Sequence, residues 1–223
     1  GRAGDLSSYV DARSKEEIVS RNPTGYSTGR LPQKGPSAEK PPGEWNELDQ
    51  TRRTELADLY LRVLTSDSAP GVLPPGRRWE CWRSGRAEGP LIGGLLNRLV
   101  RIQATPYALS PERFDGAILF WEEVGTNTPA VWNDLHVLRL AGVLDRIAGM
   151  VVGTTEVELA EGPDTLREVV LDVLGERDIP VLGNVDVGHN GPNVPMPLGI
   201  RAEVDADAVT LSLLEPVVTA PRR

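Results

Sequence analysis

Three side-chain types in this sequence could together form a nucleophilic triad: a histidine, an acid and a serine. His189 follows an apolar run and a glycine, in a turn rich in Gly and Pro. Glu122 and Glu123 follow a second apolar run, at 116–121. Open α/β sheets place their chemistry where strands end, so an imidazole and a carboxylate at two strand ends are two thirds of a triad. Ser27 lies in Gly-Tyr-Ser-Thr-Gly, a small-residue turn that could expose a seryl oxygen.

Each of these residues also has a structural interpretation. His189 could be a turn residue whose imidazole bonds a nearby carbonyl group, and the Gly/Ser turn around Ser27 is a common motif. Neighbouring strand residues point to opposite faces, so one of Glu122 and Glu123 is expected to face a site while the other faces solvent or caps the next turn. Two solvated acids are the alternative. His136, in a predicted helix with apolar neighbours, is expected to be a packing or surface residue.

Composition argues against several other classes of function. A formal net charge of −8 is unfavourable for a nucleic-acid partner. Two histidines and one cysteine without close spacing predict no zinc site, and Gly93-Gly94 alone is too short to cradle a phosphate, so no cofactor is expected. The lone Cys81 cannot form an internal disulfide, which fits a reducing compartment. The sequence has no apolar stretch of about 18 residues, so no membrane partner is expected.

The elements that would position the candidate residues alternate between strands and helices from residue 116 onward. Strands are predicted at 117–121, 147–152 and 179–182, and helices at 129–141 and 163–174, the second starting at Pro163. This alternation indicates right-handed crossovers and a largely parallel core. The tail, with alternating segments at 202–205 and 208–214, predicts an antiparallel hairpin.

The first part of the chain is less regular. Residues 1–46 are poor in long apolar runs, and the Gly and Pro residues from 22 to 45 exclude a long regular element. Residues 47–65 have apolar residues at helical spacing and predict a helix, whereas 66–90 are expected to be rich in loops.

Taken together, several segments resemble the LD-carboxypeptidase family of serine peptidases, which includes muramoyltetrapeptide carboxypeptidases and microcin self-immunity peptidases. The similar segments are Gly-Pro-Leu-Ile-Gly-Gly at 89–94, Ala-Thr-Pro-Tyr at 104–107, Ile-Leu-Phe-Trp-Glu-Glu-Val-Gly at 118–125, Leu-Arg-Leu-Ala-Gly-Val-Leu at 138–144, Pro-Val at 180–181, Gly-His at 188–189 and Met-Pro-Leu-Gly at 196–199. The resemblance implies an α/β fold. It predicts an incomplete Rossmann-like N-terminal part, 1–85, comprising a partial nucleophile domain and linker. A C-terminal swivelling β/β/α-type domain with a mixed sheet, 86–223, would carry the Glu and the His.

The resemblance also implies the roles of the candidate residues. Ser27 would be the nucleophile, Glu122 the acid and His189 the base, and the backbone N–H of Thr28 would belong to the oxyanion hole. Thr28 stands where the family has Asp, and only residues 28–34 occupy the place of a family helix.

The resemblance further suggests how the chain would bind its substrate. The self-immunity branch has tryptophans in the loop that contains Trp79 and Trp82 here, so these are candidate substrate-binding residues that could stack on a base. Simple packing is the alternative for both.

The function implied is hydrolysis of an amide bond in a small peptide conjugate. The conjugate would be a murein tetrapeptide, cut at its L,D-bond, or a peptidyl or aminoacyl nucleotide. The resemblance suggests a homodimer, and the composition predicts a cytoplasmic protein without nucleic-acid or membrane partners. A truncated, non-catalytic homologue acting as a binding module is the alternative. Because residues 1–5 show neither an initiator Met nor a signal region, the chain is expected to be a piece of a longer protein or to lack parts.

Overall fold

The structure is a computed structural model that describes residues 50–76, 78–158, 165–189 and 192–219. The α-helices are α1 (Gln50–Thr65), α2 (Leu96–Ile102), α3 (Thr128–Leu140) and α4 (Leu166–Leu174), with a 3₁₀ helix at Pro111–Phe114. The strands are β1 (Gly71–Val72), β2 (Glu80–Arg83), β3 (Arg86–Leu95), β4 (Ile118–Glu122), β5 (Val124–Asn127), β6 (Gly149–Gly153), β7 (Glu156–Glu158), β8 (Val181–Val185), β9 (Arg201–Asp205) and β10 (Thr210–Leu213).

Eight strands form one mixed sheet in the order β1-β10-β9-β3-β4-β6-β8-β2, and β5 pairs with β7 in a separate parallel ribbon. The central strands β3, β4, β6 and β8 are parallel, whereas the strands on both flanks are antiparallel. The predicted α/β class with a mixed sheet is therefore confirmed, as are its parallel core and the antiparallel hairpin of the tail. The strands β1 and β2 come from the segment expected to be a partial nucleophile domain and linker.

Buried side chains cover both faces of the sheet and hold the central strands in place. β4 shows this directly, because all its residues are buried and successive side chains point to opposite faces. Leu119 and Trp121 pack in the cluster that includes buried residues of α3 and α4, and Ile118 and Phe120 pack in the cluster that includes those of α1. The same alternation places the last residue of β4, Glu122, on the α1 side of the sheet.

Local capping interactions set where the helices begin and end. The Asn127 side chain accepts a hydrogen bond from Ala130 N at 3.0 Å, which fixes the start of α3, and Gly142 with φ +77° follows its end. Pro163, predicted as the approximate start of the next helix, lies outside the described residues, and the described helix α4 begins at Leu166. Thr165 and Glu168 form a capping box there, with each side chain accepting from the other residue's backbone N–H.

The segment 66–90 is rich in loops, as predicted, but it also contains β1, β2 and the first half of β3, which the sequence did not indicate. The sequence of β3 includes three glycines and a proline, which normally indicate a turn. Here Gly89 and Gly93 allow close approach instead: a Cβ at either position would collide with the main chain at Gly116 and Phe120 respectively. Among the described helices, none is both long and apolar enough to span a membrane.

Candidate active site

Glu122 and His189 meet at the carboxyl edge of the parallel strands. Glu122 is the last residue of β4, and His189 follows the end of β8 by four residues. Because β4 and β8 both pair in parallel with β6, their carboxyl ends lie at one edge of the sheet. The His189 Nδ1 to Glu122 Oε1 distance is 3.0 Å, which is hydrogen-bond geometry.

The two partners differ in burial, and the difference suits a base held by an acid. The Glu122 side chain is 10% exposed, whereas the His189 side chain is 56% exposed. A carboxylate bonded to Nδ1–H fixes the tautomer in which Nε2 carries the lone pair. The arrangement therefore provides an oriented proton acceptor at an accessible position, which is what general base catalysis requires.

Glycines give the Glu122 side chain its space. Gly188 has φ +138°, and a Cβ built there would lie 2.7 Å from Thr154 O and 3.3 Å from Glu122 Oε2. A Cβ at Gly153 would lie 3.1 Å from Glu122 Cβ. The second carboxylate oxygen, Oε2, is buried and has no hydrogen-bond partner among the described residues. The carboxylate therefore retains an acceptor position beyond the one that His189 uses.

Glu123 has a different task from its neighbour. Its side chain is buried and accepts three hydrogen bonds, from Asn97 N at 2.8 Å, from Asn97 Nδ2 at 2.7 Å and from Val124 N at 3.0 Å. The first bond satisfies a backbone N–H in the opening turn of α2, where a negative charge is also favourable. Burial, together with the charge of Glu123, raises the pKa of Asp134. Glu122 thus faces the histidine while Glu123 caps the start of α2, and the two acids point apart as the strand alternation predicted.

The other predicted site residues are not brought to this pair in the described structure. Ser27 and Thr28 lie outside the described residues, so their roles stay predictions. Trp79 and Trp82 are 7% and 4% exposed and pack in the two hydrophobic clusters, one on each face of the sheet. Their burial shows the packing role that was the alternative for both. Little of either ring is exposed, and the use of the rings as stacking surfaces stays a prediction.

His136 lies on α3, as expected for a packing or surface residue. Its Nδ1 is 3.0 Å from Trp132 O, and its ring is 3.8 Å from that of Trp132 between centroids. In the part of the chain that the structure describes, no three His, Cys, Asp or Glu side chains form a group suited to a metal ion.

Sequence reasoning missed two groups next to the histidine turn. The ion pair between Arg52 and Asp186 joins residues that are far apart in the sequence, at an Nη2 to Oδ2 distance of 3.0 Å. No local pattern signals such a pair. Gly153 and Gly188 were visible as residues that follow strands, but their contact with Glu122 depends on how β4, β6 and β8 are placed beside one another.

The fold and the site together define a class of protein, an α/β domain with an acid–histidine pair at the carboxyl edge of its parallel strands. Residues 88–204 match the model of the LD-carboxypeptidase C-terminal domain. The chain belongs to the LD-carboxypeptidase family.

Individual relatives agree with this assignment. A carboxypeptidase-like protein of Streptomyces coelicolor is 32% identical over 78% of this chain and 51% of its own length. The microcin C7 self-immunity protein MccF of Escherichia coli is 32% identical over 59% of this chain and 38% of its own length. The chain thus spans about half the length, or less, of these curated relatives.

Solved structures share the fold. MccF in complex with aspartyl sulfamoyl adenosine superposes with a TM-score of 0.67 at 23% identity, covering 78% of this chain and 58% of that one. Muramoyltetrapeptide carboxypeptidase from Oxalobacter formigenes has a TM-score of 0.56 at 22% identity, covering 72% of this chain and 54% of that one.

Proposed function

We propose that the protein containing this chain is a serine-type amide hydrolase acting on small peptide conjugates. The observation that carries the proposal is the hydrogen bond between His189 Nδ1 and Glu122 Oε1, at 3.0 Å. A buried carboxylate bonded to an accessible imidazole is the arrangement that orients a general base in an acid–histidine pair. Family membership supports the same class of reaction.

In the proposed mechanism, His189 removes the hydroxyl proton of Ser27 as the oxygen attacks the amide carbonyl, and then protonates the leaving amine. Glu122 keeps the imidazole in the tautomer with Nε2 free and stabilises the imidazolium that forms. The Thr28 N–H, with an amide of segment 1–4, would stabilise the oxyanion. In the second half of the reaction, His189 would remove a proton from the water that attacks the acyl-enzyme and would return that proton to the Ser27 oxygen.

Two substrate classes are proposed. The first is a peptidyl or aminoacyl nucleotide, supported by the relative whose structure holds aspartyl sulfamoyl adenosine. The second is the murein tetrapeptide, supported by the relative named as a muramoyltetrapeptide carboxypeptidase. Trp79 and Trp82 favour the nucleotide only if their remaining exposed edges contact the base. We further propose that the protein works as a cytoplasmic homodimer without nucleic-acid or membrane contacts.

A serine-directed fluorophosphonate probe tests the proposal. The wild-type chain should be labelled at Ser27, and Ser27→Ala should abolish labelling while Ser37→Ala, the matched serine-to-alanine change, should not. His189→Gln should reduce labelling by at least about 100-fold, since general base catalysis contributes roughly that much. Hydrolysis of the two substrate classes, followed by mass spectrometry, would then decide between them.

The alternative function is a binding module without catalysis. It would bind an aminoacyl sulfamoyl adenosine or a murein tetrapeptide without labelling or turnover. That result, in a folded protein, would contradict the hydrolase proposal and favour the module.

A further inference from the structure

A buried ion pair lies at the base of the turn that carries His189. Arg52 Nη2 donates to Asp186 Oδ2 at 3.0 Å, and the two side chains are 16% and 11% exposed. The same Nη2 also donates to Pro74 O at 3.2 Å. Both ends of the pair are thereby removed from most of the solvent, unlike the ordinary surface ion pairs of this chain.

Asp186 joins this pair to the histidine turn through its backbone. Its carbonyl oxygen accepts from Val194 N at 2.7 Å and closes the turn at its base. Within the turn, Asn193 Nδ2 donates to Gly188 O at 2.8 Å. His189 directly follows Gly188, so the hydrogen bonds at Asp186 O and at Gly188 O both restrain the main chain that leads to it.

Arg52 supplies a rigid anchor for that turn. It belongs to α1, which packs in the core through Leu56, Leu59 and Val63, all at most 2% exposed. The carboxylate of Asp186 also lies so close to Gly76 that any side chain at position 76 would collide with it. The position of Asp186 is therefore fixed by α1 on one side and by the main chain at 76 on the other.

Stability alone does not account for the pair. Burial raises the pKa of Asp186, and the hydrogen bond and charge of Arg52, with smaller effects of Trp79 and Arg78, only partly oppose it. The charged form of Asp186 is therefore disfavoured overall by its surroundings. Buried ion pairs of this kind contribute little net stability, and in some proteins they fix a geometry instead.

We propose that Arg52 and Asp186 are positioning residues, which hold the main chain of residues 186–189 so that His189 Nδ1 meets Glu122 Oε1. Arg52, Asp186 and the main chain of 186–189 together are called the brace. The kinetic consequence of the brace rests on the proposed function, whereas its effect on the imidazole does not.

The experiment is imidazole ¹⁵N NMR of the full chain at a pH where the rings are neutral. The chain has only two histidines, so His136 is an internal reference, and His136→Gln assigns the two sets of signals. The wild-type His189 signals should show the Nδ1–H tautomer. In Asp186→Asn and Arg52→Gln they should move toward the values of the tautomer mixture of a free neutral imidazole, while the His136 signals stay in place. Arg52→Lys should keep part of the wild-type pattern.

The matched control is Asp115→Asn, which breaks an exposed ion pair with Arg146 of 2.6 Å and should leave the His189 signals unchanged. Where the wild type hydrolyses substrate, the brace variants should lower kcat by about 10- to 100-fold with little change in KM, since a small misplacement of a reacting group has this effect. If the wild type shows no turnover, the proposed function fails while the NMR comparison still decides the brace.

Unchanged His189 signals in folded Asp186→Asn and Arg52→Gln would overturn the proposal. If either variant fails to fold, Asp186→Glu keeps the charge but lengthens the side chain. An unmoved His189 tautomer in folded Asp186→Glu is again the refuting result.

Discussion

The replacement Gly188→Ala tests whether the space around Glu122 is as tight as the structure indicates. The new methyl group would lie 2.7 Å from Thr154 O and 3.3 Å from Glu122 Oε2, at a backbone φ of +138°. A non-glycine residue in such a conformation costs about 1–3 kcal/mol. Overpacking in a closed environment adds about 1–3 kcal/mol. We therefore expect the free energy of unfolding to fall by about 2–6 kcal/mol.

The matched control is Gly142→Ala. Gly142 also has a positive φ, +77°, but a Cβ there meets nothing within 4 Å. That variant should lose only the conformational term, about 1–2 kcal/mol. The difference between the two variants isolates the crowding at Gly188 from the general cost of replacing a glycine.

Urea unfolding measures both losses, and the His189 imidazole signals report the local geometry. In Gly188→Ala the Glu122 side chain must move, so the His189 signals should change, whereas Gly142→Ala should leave them as they are. Equal stability of the two variants, together with wild-type His189 signals in Gly188→Ala, would refute the packing account of the site.

Two further predictions concern the acids next to the site. Glu123→Ala should lower the free energy of unfolding by about 2–4 kcal/mol, because it leaves the N–H groups of Asn97 and Val124 without their charged acceptor. The control, Glu176→Ala on the exposed surface, should change the free energy of unfolding by less than about 0.5 kcal/mol. Equal urea midpoints for the two variants would contradict this prediction. The second prediction is a pH dependence. Because the pKa of Asp186 is raised in the folded protein above its ordinary value of 3.8, the native state binds this proton more tightly than the unfolded chain does. The stability that Asp186 contributes relative to Asp186→Asn should be greatest below about pH 4 and should decline as the pH rises through the raised pKa; urea midpoints that diverge in the opposite direction would show that Arg52 outweighs the cost of burial.

The sequence predicts the central elements well because their patterns are local. Strands β4, β6 and β8 are short apolar runs, and the helix pattern of 47–65 is close to the observed Gln50–Thr65. The failure to predict β3 has a physical reason. Gly89 and Gly93 give β3 the composition of a loop, although they serve a close approach of two backbones that only the assembled sheet creates.

The candidate site divides in the same way. His189 and an acid at the end of β4 follow from residue types and from the rule that strand ends carry chemistry. Alternation by itself leaves Glu122 and Glu123 equivalent, since it says that they point apart without saying which one faces the histidine. The family resemblance selects Glu122, and the 3.0 Å hydrogen bond agrees with that choice.

What the sequence by itself determined is therefore the central strands β4, β6 and β8, the longer helices, the hairpin of the tail, the family and the two residues that meet at the edge of the sheet. These follow from local periodicity and from motifs whose members lie close together along the chain. Only the tertiary structure decided that Glu123 bonds to Asn97, that a side chain at position 188 would crowd Glu122, and that Arg52 reaches Asp186. Each of these contacts joins separate elements, and its distance is set by the packing of helices on the sheet, which no local pattern encodes.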